Sequence, residues 1–205
     1  MDSGIKQRVP VRMSDFIQDE IAKSLVTLRT LAADERLTNE VEQIARACSD
    51  ALRAGYKILF AGNGGSAADA QHLAGELVSR FNFDRPGLAA FALTTDTSVL
   101  TAIGNDYGYE SVFARQVDAV GRSGDVFFAI STSGRSPSIL RALEEARRKG
   151  LITVGFTGKS GGDMPALCDH CIRVPVSDTP KIQEGHLVLG HIICGLIELE
   201  MFGGD

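Results

Sequence analysis

Apolar residues recur at helical spacing through Asp15–Ala33 and again through Asn39–Ala54, where Val41, Ile44, Ala45, Cys48 and Leu52 form one stripe. These segments predict two amphipathic helices, with Ser14 and Thr38 placed to cap their N-termini. From Gly55 onward the pattern changes. Short apolar runs at Lys57–Ala61, Ala89–Ala92, Val126–Ser131, Ile152–Phe156 and Cys171–Val174 alternate with glycine or serine clusters and helical patterns, which predicts strands of a parallel sheet. Connecting helices are expected over Ser66–Arg80, Ser98–Ile103, Tyr109–Val120, Ser138–Lys149 and Met164–Leu167, and a long closing helix over Ile182–Phe202. The expected fold class is therefore α/β: a five-stranded parallel sheet flanked by helices, with N-terminal helices and a long C-terminal helix.

A length of 205 residues suits one domain rather than two with separate cores. Within it, residues 1–13 are expected to be flexible, 14–54 to form the helical part and 55–205 the α/β core. A net charge of −5 without a dense Lys/Arg block argues against a nucleic-acid footprint, but it leaves room for one small anion held by backbone N–H groups and hydroxyls. No apolar run reaches the ~18 to 20 residues of a membrane span, and the N-terminus lacks the apolar segment of a signal peptide. Four irregularly spaced cysteines, Cys48, Cys168, Cys171 and Cys194, make no disulfide framework; a reducing cytoplasm fits.

Candidate chemistry begins after the first strand. Asn63-Gly64-Gly65-Ser66 follows Gly62 and opens a helix, an arrangement that can cradle an anion or serve as a plain tight connection. A second loop, Ser131-Thr132-Ser133-Gly134-Arg135-Ser136, supplies four hydroxyls near another helix start. In an open parallel sheet both loops reach the rim outside the strand carboxyl ends. Neither is a nucleotide fingerprint. Ala67 stands where the dinucleotide motif needs its third glycine, and Thr153 stands where the P-loop needs its first, so no nucleotide cofactor is expected. His72 and Glu76 lie four apart on one helix face, as exposed polar pairs often do. His191 sits in a strongly apolar helix, where an ionisable ring is costly unless paired or useful. Cys168-Asp169-His170-Cys171 has metal-like spacing but lacks the second ligand pair of a structural zinc site.

Together these residues resemble the SIS-domain phosphoheptose isomerases. The resemblance is carried by Gly62–Ser66, by His72-x-x-x-Glu76 with Arg80, and by Gly104-Asn105-Asp106-Tyr107-Gly108. It continues through Ser131–Gly134 with Ser136, Thr157-Gly158, and Ile182-Gln183-Glu184 with His186 and His191, spanning about Asp15 to Met201. It implies an aldose–ketose isomerase acting on sedoheptulose 7-phosphate at the entry to bacterial surface heptose, with Glu76 as base and His191 as acid. It further implies phosphosugar contacts from Asn63, Gly64, Gly65, Ser66, Arg80, Asp106, Ser131, Thr132, Ser133, Ser136 and Gln183, and zinc held by His72, Glu76, Gln183 and His191. A homotetramer with sites between subunits is implied too. Gln183 and His191 are eight residues apart, ~12 Å of rise in a continuous helix, so a shared metal requires a later helix start or a second subunit. Pro180 also stands where some relatives carry an acidic residue. A non-catalytic phosphosugar sensor, or a replication-initiator partner of the same fold, needs no base; the joint presence of His72, Glu76, Gln183 and His191 favours the enzyme.

Overall fold

The computed structural model describes residues 12–203, so most of the start expected to be flexible lies outside the described residues. Two helices come first, α1 (Met13–Ala32) and α2 (Glu35–Arg53). Neither expected cap is used. Arg12 stands at the N-cap of α1 without a side-chain bond, and Met13 and Ser14 are already helical. At α2 the cap is Asp34, whose carboxylate accepts from the N–H groups of Arg36 at 3.0 Å and Leu37 at 3.2 Å. The buried stripe of α2 reaches back to Leu37, which draws the helix start ahead of Thr38.

The sheet contains β1 (Ile58–Gly62), β2 (Ala90–Ala92), β3 (Val126–Ile130), β4 (Ile152–Thr157) and β5 (His170–Arg173), all parallel and ordered β2-β1-β3-β4-β5. Every residue of β1 and β3 is buried, the continuous apolar pattern of strands covered on both faces. Between them run α3 (Gly65–Val78), α4 (Thr97–Tyr107), α5 (Ala114–Val120) and α6 (Pro137–Arg148), and α7 (Thr179–Phe202) closes the chain. Three spans differ from the pattern reading. Asp96 caps α4, which runs on through Asn105, Asp106 and Tyr107, and the segment from Tyr109 breaks into a 3-10 turn (Tyr109–Ser111) before α5. Met164–Ala166 is likewise a 3-10 turn.

One face of the sheet packs on α1, α2, α3 and α7 through Leu31, Ile44, Phe60, Leu73, Phe128, Phe156 and Ile193; the other packs on α5 and α6 through Leu59, Phe113, Phe127, Ile139 and Leu143. By length and composition α7 could cross a membrane, yet it carries buried Lys181, His186 and Glu198 and serves this core. Strand order reverses between β1 and β3, and there the loops leaving these strands flank a crevice at their carboxyl ends.

Candidate functional site

Two groups of side chains are gathered on α3, one at each end. At its start Gly64 takes φ +57°, a conformation that a side chain would strain, and the chain turns from β1 straight into the helix. Asn63 then reaches across the β1/β3 crevice. Its Nδ2 donates to Ser136 Oγ at 2.9 Å and Ser138 Oγ at 3.0 Å, while its Oδ1 accepts from the Tyr109 hydroxyl at 2.8 Å. One amide thus ties three loops into a polar floor. Ser66 is buried beneath it.

The second loop is rigid through its neighbours. The carbonyl of Thr132 accepts from Gly158 N–H at 3.0 Å, that of Gly134 accepts from Asp163 N–H at 2.9 Å, and Ser131 N–H donates to Phe156 O at 2.9 Å. Ser133 stays exposed, its Oγ accepting from Arg135 N–H at 3.2 Å. Gln183 joins this end of the site: a Cβ on Gly65 would overlap its amide nitrogen.

Seven residues further along the same face of α3, His72 meets His191 of α7. The Nε2 atoms are 2.7 Å apart, so one ring donates to the other, and the same His72 Nε2 lies 3.2 Å from Glu76 Oε1. Gly190 permits this approach, because any side chain there would strike Leu73 of α3, its Cβ lying 2.7 Å from the leucine Cδ2. Ring stacking continues to Phe81, 5.5 Å from His191 between centroids. Burial raises the carboxyl of Asp69, one turn before His72, while the imidazole works the other way; its Oδ2 is buried without a partner.

A buried clamp fixes the end of α3. Glu198 accepts from the N–H groups of Phe81 at 3.0 Å and Asn82 at 2.6 Å and from Arg85 Nε at 3.0 Å, with both charged side chains essentially inaccessible. Arg85 in turn donates to the carbonyls of Glu76 at 2.8 Å and Leu77 at 2.6 Å. The backbone carrying Glu76 and the ring covering His191 therefore hang on one ion pair.

One ligand atom from each of His72, Glu76 and His191 falls within 4.8 Å of the others. Two imidazole nitrogens and a carboxylate oxygen are donors that suit zinc, whose N and O bonds of ~2.0–2.2 Å require the rings to part slightly from their present hydrogen bond. Gln183 stands apart from this cluster. Because α7 begins at Thr179 and is continuous, Gln183 and His191 are separated by ~12 Å of rise, and a later helix start does not occur. Arg80 is exposed just past α3, and Asp106 is exposed at the end of α4, accepting from Asn105 Nδ2 at 2.8 Å. Among the described residues no hydrogen bond joins either to the cluster.

Sequence reasoning missed Tyr109, Ser138, Phe81, Arg85 and Glu198. Ser138 continues the serine run of the second loop and Tyr109 abuts the Gly104–Gly108 motif, so both had a hint. Phe81 and Arg85 lie in a stretch with no periodicity.

The SIS domain family matches residues 23–158. A phosphoheptose isomerase of Burkholderia pseudomallei is 61% identical over 188 residues, 92% of this chain and 95% of that protein. Among solved structures, phosphoheptose isomerases of Neisseria gonorrhoeae (40% identity, TM-score 0.85) and Francisella tularensis (36%, 0.88) each cover 91% of this chain, and are themselves covered over 99% and 98% of their lengths.

Proposed function

Since the chain belongs to the SIS-domain phosphoheptose isomerase family, we propose that it interconverts sedoheptulose 7-phosphate and D-glycero-D-manno-heptose 7-phosphate, supplying bacterial heptose synthesis in the cytoplasm. The observation that carries the proposal is the meeting of His72 and Glu76 with His191, more than a hundred residues away in sequence, on the helix whose other end holds the hydroxyl floor.

In this reading the phosphate sits at the start of α3, against Gly64, Gly65 and Ser66 and the hydroxyls of Ser131, Thr132, Ser133 and Ser136, with Asn63 bracing the two loops. Gly65 to His72 is ~10 Å along the helix, which suits an extended sugar phosphate reaching from cradle to cluster. Gln183 would touch substrate near Gly65, with Arg80 and Asp106 contributing from their exposed positions. Glu76 takes the C1 proton and returns it at C2, through an enediolate. His191 donates a proton to O2 as the ketone becomes a hydroxyl and recovers one from O1 as C1 becomes the aldehyde. His72, Glu76 and His191 would hold a zinc ion, which when bound polarises substrate oxygens as a Lewis acid. Gln183 would complete such a set only from a neighbouring copy. That fits a homotetramer with shared sites.

The test is to incubate the protein with sedoheptulose 7-phosphate and follow the aldose by NMR. Glu76→Gln should lower turnover by about 10²- to 10⁴-fold while phosphosugar binding persists. Turnover retained in that variant removes Glu76 from the chemistry.

A further inference from the structure

Isomerisation makes no use of the Cys168-Asp169-His170-Cys171 segment, yet the fold arranges its two thiols side by side. Gly155 on β4 is in register with Cys171 on β5, so their side-chain directions share one face of the sheet. Gly155 has no side chain, and the space is taken by sulfur: the point where its Cβ would lie is 2.7 Å from Cys168 Sγ and 3.3 Å from Cys171 Sγ. Cys168 thereby occupies the cross-strand position next to Cys171. Both cysteines are half-buried at an edge strand, whereas Cys48 and Cys194 are fully enclosed in the core.

We propose that Cys168 and Cys171 are a redox modification site, oxidised by a hydroperoxide to an intramolecular disulfide. The Cys171 thiolate attacks the peroxide, its sulfur giving two electrons to the O–O bond, to form a sulfenic acid and release an alcohol or water. The Cys168 thiol then displaces the sulfenic oxygen as water, closing the S–S bond, and an external thiol reverses it. The local chemistry assigns these roles. A hydrogen bond from Cys168, with help from the Arg173 guanidinium, outweighs burial and holds the Cys171 thiol below its ordinary range, while the same hydrogen bond and burial push Cys168 up. Burial pushes Cys48 up strongly and Cys194 up to about 12, which makes both poor nucleophiles.

The experiment treats the reduced full-length protein with a small excess of hydrogen peroxide, then blocks free thiols, reduces, labels with a second alkylating agent and maps peptides by mass spectrometry. Cys168 and Cys171 should carry the second label together, at least about tenfold ahead of Cys48 and Cys194, with the intact chain lighter by two hydrogens and restored by dithiothreitol. In Cys168→Ser, Cys171 should instead be trapped as a sulfenic acid by dimedone. Equal oxidation of all four cysteines, or disulfides only between molecules, overturns the proposal; so does a Cys168→Ser chain that gives the wild-type product. Should that variant fail to fold, the wild-type peptide map decides alone.

Discussion

At the scale of residues, each imidazole in α7 has its work set by its surroundings. His191 faces His72 and is half-buried, whereas His186, one turn and a half earlier, is enclosed beside Phe156 with ring centroids 5.5 Å apart. Its Nε2–H donates to the Thr157 carbonyl at 3.2 Å, leaving Nδ1 buried with no partner. Charging the ring would add a second N–H with nothing to receive it, and burial lowers its pKa to about 4. The unfolded chain then binds this proton near pH 6.5 and the folded chain only near 4, so stability falls as pH drops between those values, by on the order of 3 kcal/mol when complete. Urea unfolding at pH 7 and 4.5 should show His186→Asn losing clearly less than the parent over that step; equal losses assign the acid sensitivity elsewhere. His72 gives a different expectation. Gently purified protein should carry one zinc per chain by elemental analysis, and His72→Ala should weaken retention by tenfold or more. Full activity after metal removal speaks against a catalytic ion. His72 and His191 both stood out in the sequence, but spacing paired only His72 with Glu76; His72 and His191, 119 residues apart, meet through helix packing that periodicity does not encode.

At the scale of elements, the segment after α3 acts through what it holds. Among the described residues Arg85 and Glu198 make no hydrogen bond to the side chains of His72, Glu76 or His191, yet they bind the carbonyls of Glu76 and Leu77 and the N–H groups of Phe81 and Asn82. Burial alone would raise the Glu198 carboxyl, but the two N–H groups and Arg85 prevail and hold it below the ordinary carboxylate range. We expect this clamp to position Glu76. Glu198→Gln should destabilise the fold by about 3 kcal/mol, since it leaves a buried guanidinium without its counter-charge. It should also lower kcat by about tenfold with little change in KM, because small displacements of a reacting carboxylate cost rate more than binding. A lower melting temperature with unchanged kcat reduces the clamp to a structural role. The elements themselves were largely legible: β1 to β5 and the long helices read from apolar runs and glycine punctuation. What failed was local. Asp34 took the cap expected at Thr38, and the segment from Tyr109 broke into a 3-10 turn before α5 because Tyr109 is drawn to Asn63 across the crevice.

At the scale of the whole molecule, the surface of α1 is hard to reconcile with a solitary chain. Met13, Phe16, Ile17, Ile21, Leu25 and Val26 are exposed by between 49% and 87%, and four of them recur every fourth residue as a continuous stripe. Val188 and Ile192 of α7 are exposed as well, and Ile192 adjoins His191. An amphipathic helix normally turns such a stripe inward, so this one has a use outside the chain. The homotetramer proposed above would supply it, and would bring a second copy towards the face that carries the histidine cluster. Placing charge in the stripe should separate these effects: Ile17→Lys with Ile21→Lys leaves the sheet, both loops and the α3–α7 contact untouched, since neither residue belongs to the core. Light scattering on the eluted protein should show the parent as a tetramer and the double variant as a smaller species with unchanged far-ultraviolet circular dichroism. If sites are shared, its turnover should fall by tenfold or more at assay dilution. A variant that dissociates yet keeps parental turnover would show that one chain holds the whole site, and a parent that elutes as a monomer would leave the stripe to a different partner.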